Sequence, residues 1–394
     1  MKKRILGGIS LILIAVMMTG CTTYDNFIAS VQKDKTEETI RVGIFEPLSG
    51  PDSAFGQLEL KGIELAQGIY PKVLGKTVEL IKEDNRSDPD YAEVAANNLV
   101  KKRAALILGS YGSSNSMIGG VIFEKAKIPA IGITCTNPLV TSINAYYFRV
   151  CFIETFQGIA MAKYAVSDLG AKKAAIIQDS DSDFSVTVAQ VFADKFVSLT
   201  KDEASIVSTT KYSEGDRSFT NQLKAIKTAA PDVIFLPGNP YDAGLIINQA
   251  RAAGIKAIFL GINSWEDKTL IEIGGPATDG ATFSTPFDPS VILTKETKVF
   301  LDAYKAKFGK DAVPTKEEAL GFDAYLVAMD GITRAGTALD GELLMKTLLN
   351  TNQLPAVTGD ITFDPNKDAI KPVIIKTIQN GEFVYKTTTV PVWE

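Results

Sequence analysis

The sequence has no histidine at all. That absence removes a Ser-His-Asp triad, a histidine general base and any histidine-ligated metal. Cysteine is scarce, with only Cys21, Cys135 and Cys151, too few for a disulfide framework. Cys135 and Cys151 read either as a bonded pair or as two buried thiols. Basic residues fall short of acidic ones, 41 against 46, for a net charge of −5. Nucleic acid, which demands a basic stripe, is therefore not expected as a partner. Phosphate and calcium loops are imitated but not completed. Gly75-Lys76-Thr77 follows Gly68 at the wrong spacing and after a helix. Asp179 to Asp183 begins like a calcium loop, but Phe184 stands where the turn needs glycine and Gln190 where a bidentate Glu belongs. Neither a Gly-x-Ser-x-Gly elbow nor a dinucleotide Gly-x-Gly-x-x-Gly after a strand occurs. No metal, no cofactor and no enzymatic activity are expected.

Of long apolar runs there is one, Ile5 to Met18, between Lys2-Lys3-Arg4 and Thr19-Gly20-Cys21. It is shorter than the ~20 residues of a membrane-spanning helix. The order basic, apolar, small, cysteine reads as a secretory signal over 1–21 closed by a lipobox, with Cys21 acylated; Met18 stands where leucine is usual. A short transmembrane anchor is the alternative. Both place the folded part outside the cytoplasm at a membrane surface, and the polar stretch 22–39 reads as a flexible tether.

The 394 residues, 45% hydrophobic and 22% charged, are enough for two domains. From Ile40 onward, short β-branched runs alternate with amphipathic stretches. Ile40–Phe45, Val78–Ile81, Ala105–Leu108 and Pro129–Ile133 read as strands. Pro89 to Arg103 reads as a helix with Asp88 as N-cap and Pro89 at its first position. After a pause near 147–155 the pattern restarts with strands at Ala174–Ile177, Ile206–Thr210, Val233–Leu236 and Ala257–Leu260. Residues 284–354 are helix-rich, and Ile361–Phe363 and Val373–Ile375 read as closing strands. Such spacing means βαβ units, and the fold class expected is α/β with two doubly wound parallel-sheet lobes.

Ligands of open α/β sheets bind beyond the carboxyl ends of the strands. Three loops there are small, polar and punctuated by glycine or proline: Glu46 to Pro51 leading to Ala54-Phe55-Gly56, Gly109 to Ser116, and Thr134 to Pro138. Ser113 to Ser116 opens a helix, where unpaired N–H groups and the dipole favour a carboxylate. Plain capping by serine or asparagine is the other reading of the same residues.

These loops, with Gly43 to Gly56, Asp179, Asp183-Phe184-Ser185, Pro231 to Gly238, Gln249 to Gly254, Gly321 to Ala324 and Gly359 to Asp364, resemble the periplasmic type I solute-binding proteins of the leucine/isoleucine/valine class. The resemblance covers nearly everything after the tether. It implies lobes joined by several hinge crossovers, with 40–152 plus 286–358 in the first and 153–285 plus 359–394 in the second. It implies Ser113 and Ser114 at the ligand carboxylate, Thr134 and Thr136 beside it, and Phe55 and Phe184 as aromatic walls, although either could be a core aromatic. Asn239 and Asn263 stand where the family supplies an aromatic and a carboxylate. Asn263 offers a ligand ammonium only a dipole, so the counter-charge falls to Asp181, Asp183 or Glu317, or the solute is an amide without an ammonium. Trp265 reads as a cleft wall or a core residue; Glu317 and Glu318 are otherwise expected to face solvent.

The function implied is a lipid-anchored receptor that captures a small polar solute, an amino acid or an amide, and hands it to an ABC permease. A sensory receptor of the same fold is the second reading, and no signalling segment follows the closing strands. An extracytoplasmic enzyme is the third, and no nucleophile-base pair supports it.

Overall fold

The computed structural model describes residues 39–389; the signal, Cys21 and the tether up to residue 38 lie outside them. Strand β1 (Thr39–Glu46) leads through helix α1 (Ser53–Ile69) to the short β2 (Lys72–Val73) and β3 (Lys76–Asp84). Then come α2 (Pro89–Lys101), β4 (Leu106–Leu108), α3 (Ser113–Lys125), β5 (Ala130–Gly132), the single turn α4 (Leu139–Ser142) and β6 (Tyr147–Arg149). The sheet order is β2-β3-β1-β4-β5-β6, parallel except for the edge strand β2. As the sequence predicts, the Asp88 side chain caps α2 by accepting from the N–H groups of Asp90 and Tyr91. The pause near 147–155 holds β6, a strand of three residues that is too short to show a pattern.

The second sheet is fed by α5 (Glu154–Lys163), β7 (Ala174–Asp179), α6 (Asp183–Thr200), β8 (Ile206–Tyr212), α7 (Thr220–Ala229), β9 (Val233–Phe235), α8 (Pro240–Ala252), β10 (Ile258–Gly261), α9 (Lys268–Gly274) and β11 (Thr282–Thr285). The chain then crosses back through α10 (Lys295–Phe308), α11 (Lys316–Ala335), α12 (Gly341–Leu349) and the small sheet β12 (Leu354–Ala356), β13 (Gly359–Phe363) and β14 (Ala369–Ile370). It finishes with β15 (Val373–Gln379) and β16 (Glu382–Thr389), antiparallel additions to a sheet ordered β16-β15-β11-β10-β9-β7-β8.

Both parallel sheets are apolar on both faces because helices cover both. Val42 and Ile44 of β1 point into one core, with Phe300, Leu320 and Phe322 of the crossing helices; Phe45 points into the other, with Leu99, Ile107 and Phe123. In β7, Ala174 and Ile176 face one core while Ala175 and Ile177 face the other. Each large apolar side chain removed from water in this way contributes roughly 1.5–3 kcal/mol. The chain passes between the lobes three times, at 149–154, 285–295 and 370–373. Ile361, Phe363 and Ala369 pack in the first lobe's core, so the stretch 359–370, expected with the second lobe, lies with the first, and the last crossing comes at Val373. The closing apolar strand pattern was right, but β13 pairs with β12 and β14 rather than joining the large sheet.

Helices α1 and α11 touch backbone to backbone. A Cβ on Gly62 would lie 2.0 Å from the Glu318 carbonyl oxygen, and one on Gly321 would lie 2.2 Å from that of Glu59. Only glycine permits this approach, and it brings the start of α11 to the edge of the cleft.

Candidate functional site

In each lobe the strand order reverses beside the first strand, between β1 and β4 and between β7 and β9, which is where open α/β sheets bind ligands. The carboxyl ends of these strands face a cavity of about 1270 Å³ between the lobes. The first lobe contributes Phe55, Leu58, Tyr111, Thr134, Thr136 and Glu317 to its lining; the second contributes Phe184, Asn263, Glu266, Lys376 and Tyr385.

The first lobe's loops are held from beneath by buried charge. Glu46 at the end of β1 and Glu59 on α1 are both fully buried and near enough to interact, and one oxygen of each, Glu46 Oε1 and Glu59 Oε2, has no hydrogen-bond donor among the described residues. Burial pushes the Glu46 carboxyl up to about 8, and burial beside Glu46 pushes Glu59 well above the ordinary carboxylate range. Two buried acids side by side cannot both ionise readily, so the pair keeps a proton. The pair holds the two ligand loops: the Tyr111 N–H donates to Glu46 Oε2 at 2.8 Å, and the Thr134 hydroxyl donates to Glu59 Oε1.

Arg149, also fully buried, completes the support. Its guanidinium donates to the carbonyls of Cys135 at 2.5 Å, Asn137 at 2.9 Å and Pro138 at 3.3 Å, and pairs with Asp368 at 2.6 Å. A planar five-donor fork can serve three carbonyls and a carboxylate together. Cys135 and Cys151 beside it are buried free thiols, and the Cys151 Sγ lies 3.6 Å from the Cys135 carbonyl oxygen.

The second lobe meets the cavity differently. Lys376 Nζ lies 2.5 Å from Glu266 Oε1 and 3.0 Å from Asp288 Oδ2, and these ion pairs raise its pKa against the opposing effect of burial. Glu266 also accepts from the Thr285 hydroxyl at 2.5 Å. Asn263 opens a short 3₁₀ turn, donates its N–H to Gln157 Oε1 at 3.0 Å, and accepts from Lys316 Nζ at its carbonyl at 3.3 Å.

Of the residues singled out from the sequence, Phe55, Thr134, Thr136, Phe184 and Asn263 line the cavity. Phe55 is 40% exposed and stacks on Tyr111 with ring centroids 4.7 Å apart, so it is not a core aromatic. Ser113 does open α3, but Gly112 holds the cap position and the Ser113 hydroxyl accepts from the Asn137 N–H at 3.1 Å. Ser114 is exposed, and neither serine lines the cavity. Asn239 does not reach it either: its side chain caps α8, accepting from the Asp242 N–H and donating to Asp242 Oδ2. Pro240 beside it takes the place at the wall. Trp265 is a core residue, fully buried against Gly261. Glu317 and Glu318 do not face solvent; they are 7% and 1% exposed because α11 presses on α1. Asp181 and Asp183 are exposed and outside the lining, so among the three acids considered as a counter-charge only Glu317 reaches the cleft.

Sequence reasoning missed Tyr111, Glu59, Glu266 and Lys376. Tyr111 lay inside a loop already singled out, and its neighbours' hydroxyls drew attention instead. The other three are charges on a helix, a loop and a strand far apart in the chain, and only the fold brings Glu266 and Lys376 together and sets Glu59 beneath the cleft.

A family model described as periplasmic binding protein matches residues 39–382. The chain belongs to the periplasmic binding protein family. The family is made of solute-binding receptors rather than enzymes, and this chain is an extracytoplasmic solute receptor. A leucine-binding protein of Thermotoga maritima is 34% identical, with a TM-score of 0.74 over 89% of this chain and 99% of its own. A branched-chain amino acid transporter substrate-binding protein from Streptococcus pneumoniae, solved with isoleucine, is 27% identical with a TM-score of 0.71, covering 89% and 99%. A Leu/Ile/Val-binding protein homologue of Brucella melitensis is 26% identical over 84% of this chain and 89% of its own. Among the described residues no helix is long and apolar enough to cross a membrane.

Proposed function

We propose that the protein captures an amino acid or amino-acid-like solute between its lobes and delivers it to an ABC permease. The inter-lobe cavity carries this reading. Hydroxyls of Thr134 and Thr136 and the stacked Phe55–Tyr111 pair face Phe184 and Asn263 of the other lobe across it. The Thr136 hydroxyl can donate to a carboxylate, the Thr134 proton being given to Glu59, and the aromatic faces suit an apolar side chain. The three crossovers leave the lobes free to close over a solute, and binding then selects the closed form for the permease to read. The leucine- and isoleucine-binding relatives support the amino-acid class. Acylated Cys21 would hold the receptor at the membrane surface through the stretch 22–38.

A thermal-shift panel of amino acids, amides and small carboxylates tests the reading. A solute at ~1,000 times its Kd should add about 4 kcal/mol of stability, and small-angle scattering should show the particle contract with it. Stabilisation by none of the panel, or catalytic turnover of a solute that does bind, would sink the receptor reading. Mass spectrometry of the membrane fraction tests the anchor: wild type should carry lipid on Cys21 and Cys21→Ser none.

A further inference from the structure

We propose that Cys135 and Cys151 are a disulfide-forming pair, oxidised by exchange with an external disulfide, and that the bond ties the cleft loop 134–138 to the first crossover between the lobes. The inference goes beyond the receptor reading: it needs the extracytoplasmic location and holds whatever the solute is.

The fold brings the two sulfurs together. Cys135 lies just past the carboxyl end of β5 and Cys151 just past that of β6, neighbouring parallel strands in which Gly132 stands opposite Arg149. Such strands run about 4.8 Å apart, inside the Cα separation of roughly 4.4–6.8 Å that a disulfide spans. The Cys135 sulfur lies over Gly132, so close that a Cβ there would meet it at 2.2 Å. The Cys151 thiol donates to the Cys135 carbonyl oxygen at 3.6 Å, and the two side chains are near enough to interact. Both are free thiols in this structure, the dithiol form of the pair. Their positions give the bond a consequence. Thr134 and Thr136, on either side of Cys135, line the cavity, while Cys151 belongs to the crossover 149–154.

Outside the cytoplasm disulfides form and persist. Cys151 is the attacking sulfur. The Cys135 thiol beside it and the cations of Arg149 and Lys371 pull its pKa below the ordinary value against the effect of burial, whereas Cys135 is pushed up. Cys151 is buried, but it sits on a segment that bends as the lobes move, and that motion opens it to the oxidant. Its thiolate attacks one sulfur of the external disulfide, an S–S bond forms, and the other external sulfur leaves as a thiolate. The Cys135 thiol then gives up its proton and attacks the Cys151 sulfur, closing the protein's own bond and releasing the second external sulfur. Two electrons pass to the external disulfide, and the two protons end on the thiols it becomes.

The test is peptide mapping of the full chain recovered from the cell envelope, alkylated in denaturant without reductant. Trypsin cuts after Arg149 and so separates the cysteines into peptides 128–149 and 150–163. The two peptides should appear joined, and should join again when the reduced, folded chain is given oxidised glutathione. Alkyl groups on both cysteines of the envelope protein, or a lasting glutathione adduct on either one in place of the link, overturns the pairing. The oxidised chain should unfold roughly 3–6 °C above the reduced one, and Cys151→Ser should show no such difference between oxidant and reductant. Equal midpoints for the two wild-type forms would mean that the bond ties nothing. Mapping reads out even if Cys151→Ser fails to fold, and solute binding by the reduced chain keeps the receptor reading independent of the result.

Discussion

The two lobes furnish one cavity by opposite means. In the first, the loops that line the cavity are held from below: Arg149 gathers three carbonyls of 135–138, and the Glu46–Glu59 pair holds Tyr111 and Thr134. All three charged residues are fully buried, so their hydrogen bonds are made in a low-dielectric interior and cannot be replaced by water. In the second lobe the charge lies at the wall itself, in the Lys376–Glu266–Asp288 cluster, close enough to solvent and solute to rearrange. A binding protein that must both recognise and close is served by such a division. The first lobe presents a preset half-site, and the second supplies groups that can reseat as the cleft shuts.

The sharpest way to break the comparison is Arg149→Leu. It strips the buried Asp368 carboxylate of its cation, leaving it the Thr141 hydroxyl, and takes one donor from each of three loop carbonyls; breaking a buried pair from one side costs about 3–5 kcal/mol. Denaturant unfolding should show that loss, with weakened solute binding in whatever remains folded. A loss under 1 kcal/mol would mean the loop does not depend on its support.

Lys376→Met is the matching cut in the second lobe. Glu266 and Asp288 would face each other without their cation, but both retain other donors and stand beside an open cavity. About 2 kcal/mol is expected, less than for Arg149. Equal losses in the two variants would erase the distinction between buried support and cleft wall.

The contrast also explains what the sequence disclosed. Parallel sheets announce themselves because strands such as Ala174-Ala175-Ile176-Ile177 are apolar on both faces, and the cap at Asp88-Pro89 needs no tertiary information. The loops that line the cavity were legible by the same token: they follow those strands, and Thr134, Thr136 and Phe55 fall in them. Their supports were not. Glu46, Glu59, Arg149 and Asp368 are isolated charges in chain order, and a reader of sequence places single charges on the surface. The solvent-facing reading of Glu317 fails for that reason, while its reading as an acid of the cleft stands with the lining. Asn239 failed for another: a side chain that caps a helix looks the same in sequence as one that greets a ligand, and here Asp242 had the stronger claim.

The carboxyl pair gives a third cut, through pH. A carboxyl kept protonated by the fold holds a proton that the unfolded chain releases above about 4.5. Its contribution is thus complete below that pH and fades as pH rises through the folded value. Glu46, pushed up to about 8, should cost stability between roughly pH 5 and 8, at most about 1.4 kcal/mol per pH unit. Glu154 and Asp323, raised to about 7 and about 6, add slope in the lower part of that window. The measurement is therefore the difference between wild type and Glu46→Gln, in which an amide stays neutral throughout. The variant's unfolding free energy should fall less steeply from pH 6 to 8. Parallel curves would show that Glu46 itself releases no proton in this window.

The smallest effect expected comes from the aromatic walls, and it separates preset from adaptable surface most finely. Phe55 is exposed and stacks on Tyr111, an arrangement worth about 0.5–1.5 kcal/mol. Phe184 is half-buried and packs on the second lobe's core beside Val188. Phe55→Leu should leave the unfolding midpoint nearly unchanged while solute affinity drops a few-fold, since the lost stack was part of the binding face. Phe184→Leu should lower the midpoint as well, because the ring is shared between core and cleft. If the two variants exchange these outcomes, the first lobe's aromatic belongs to the fold and the second's to the solute, and the division of labour drawn from the buried charges does not extend to the walls.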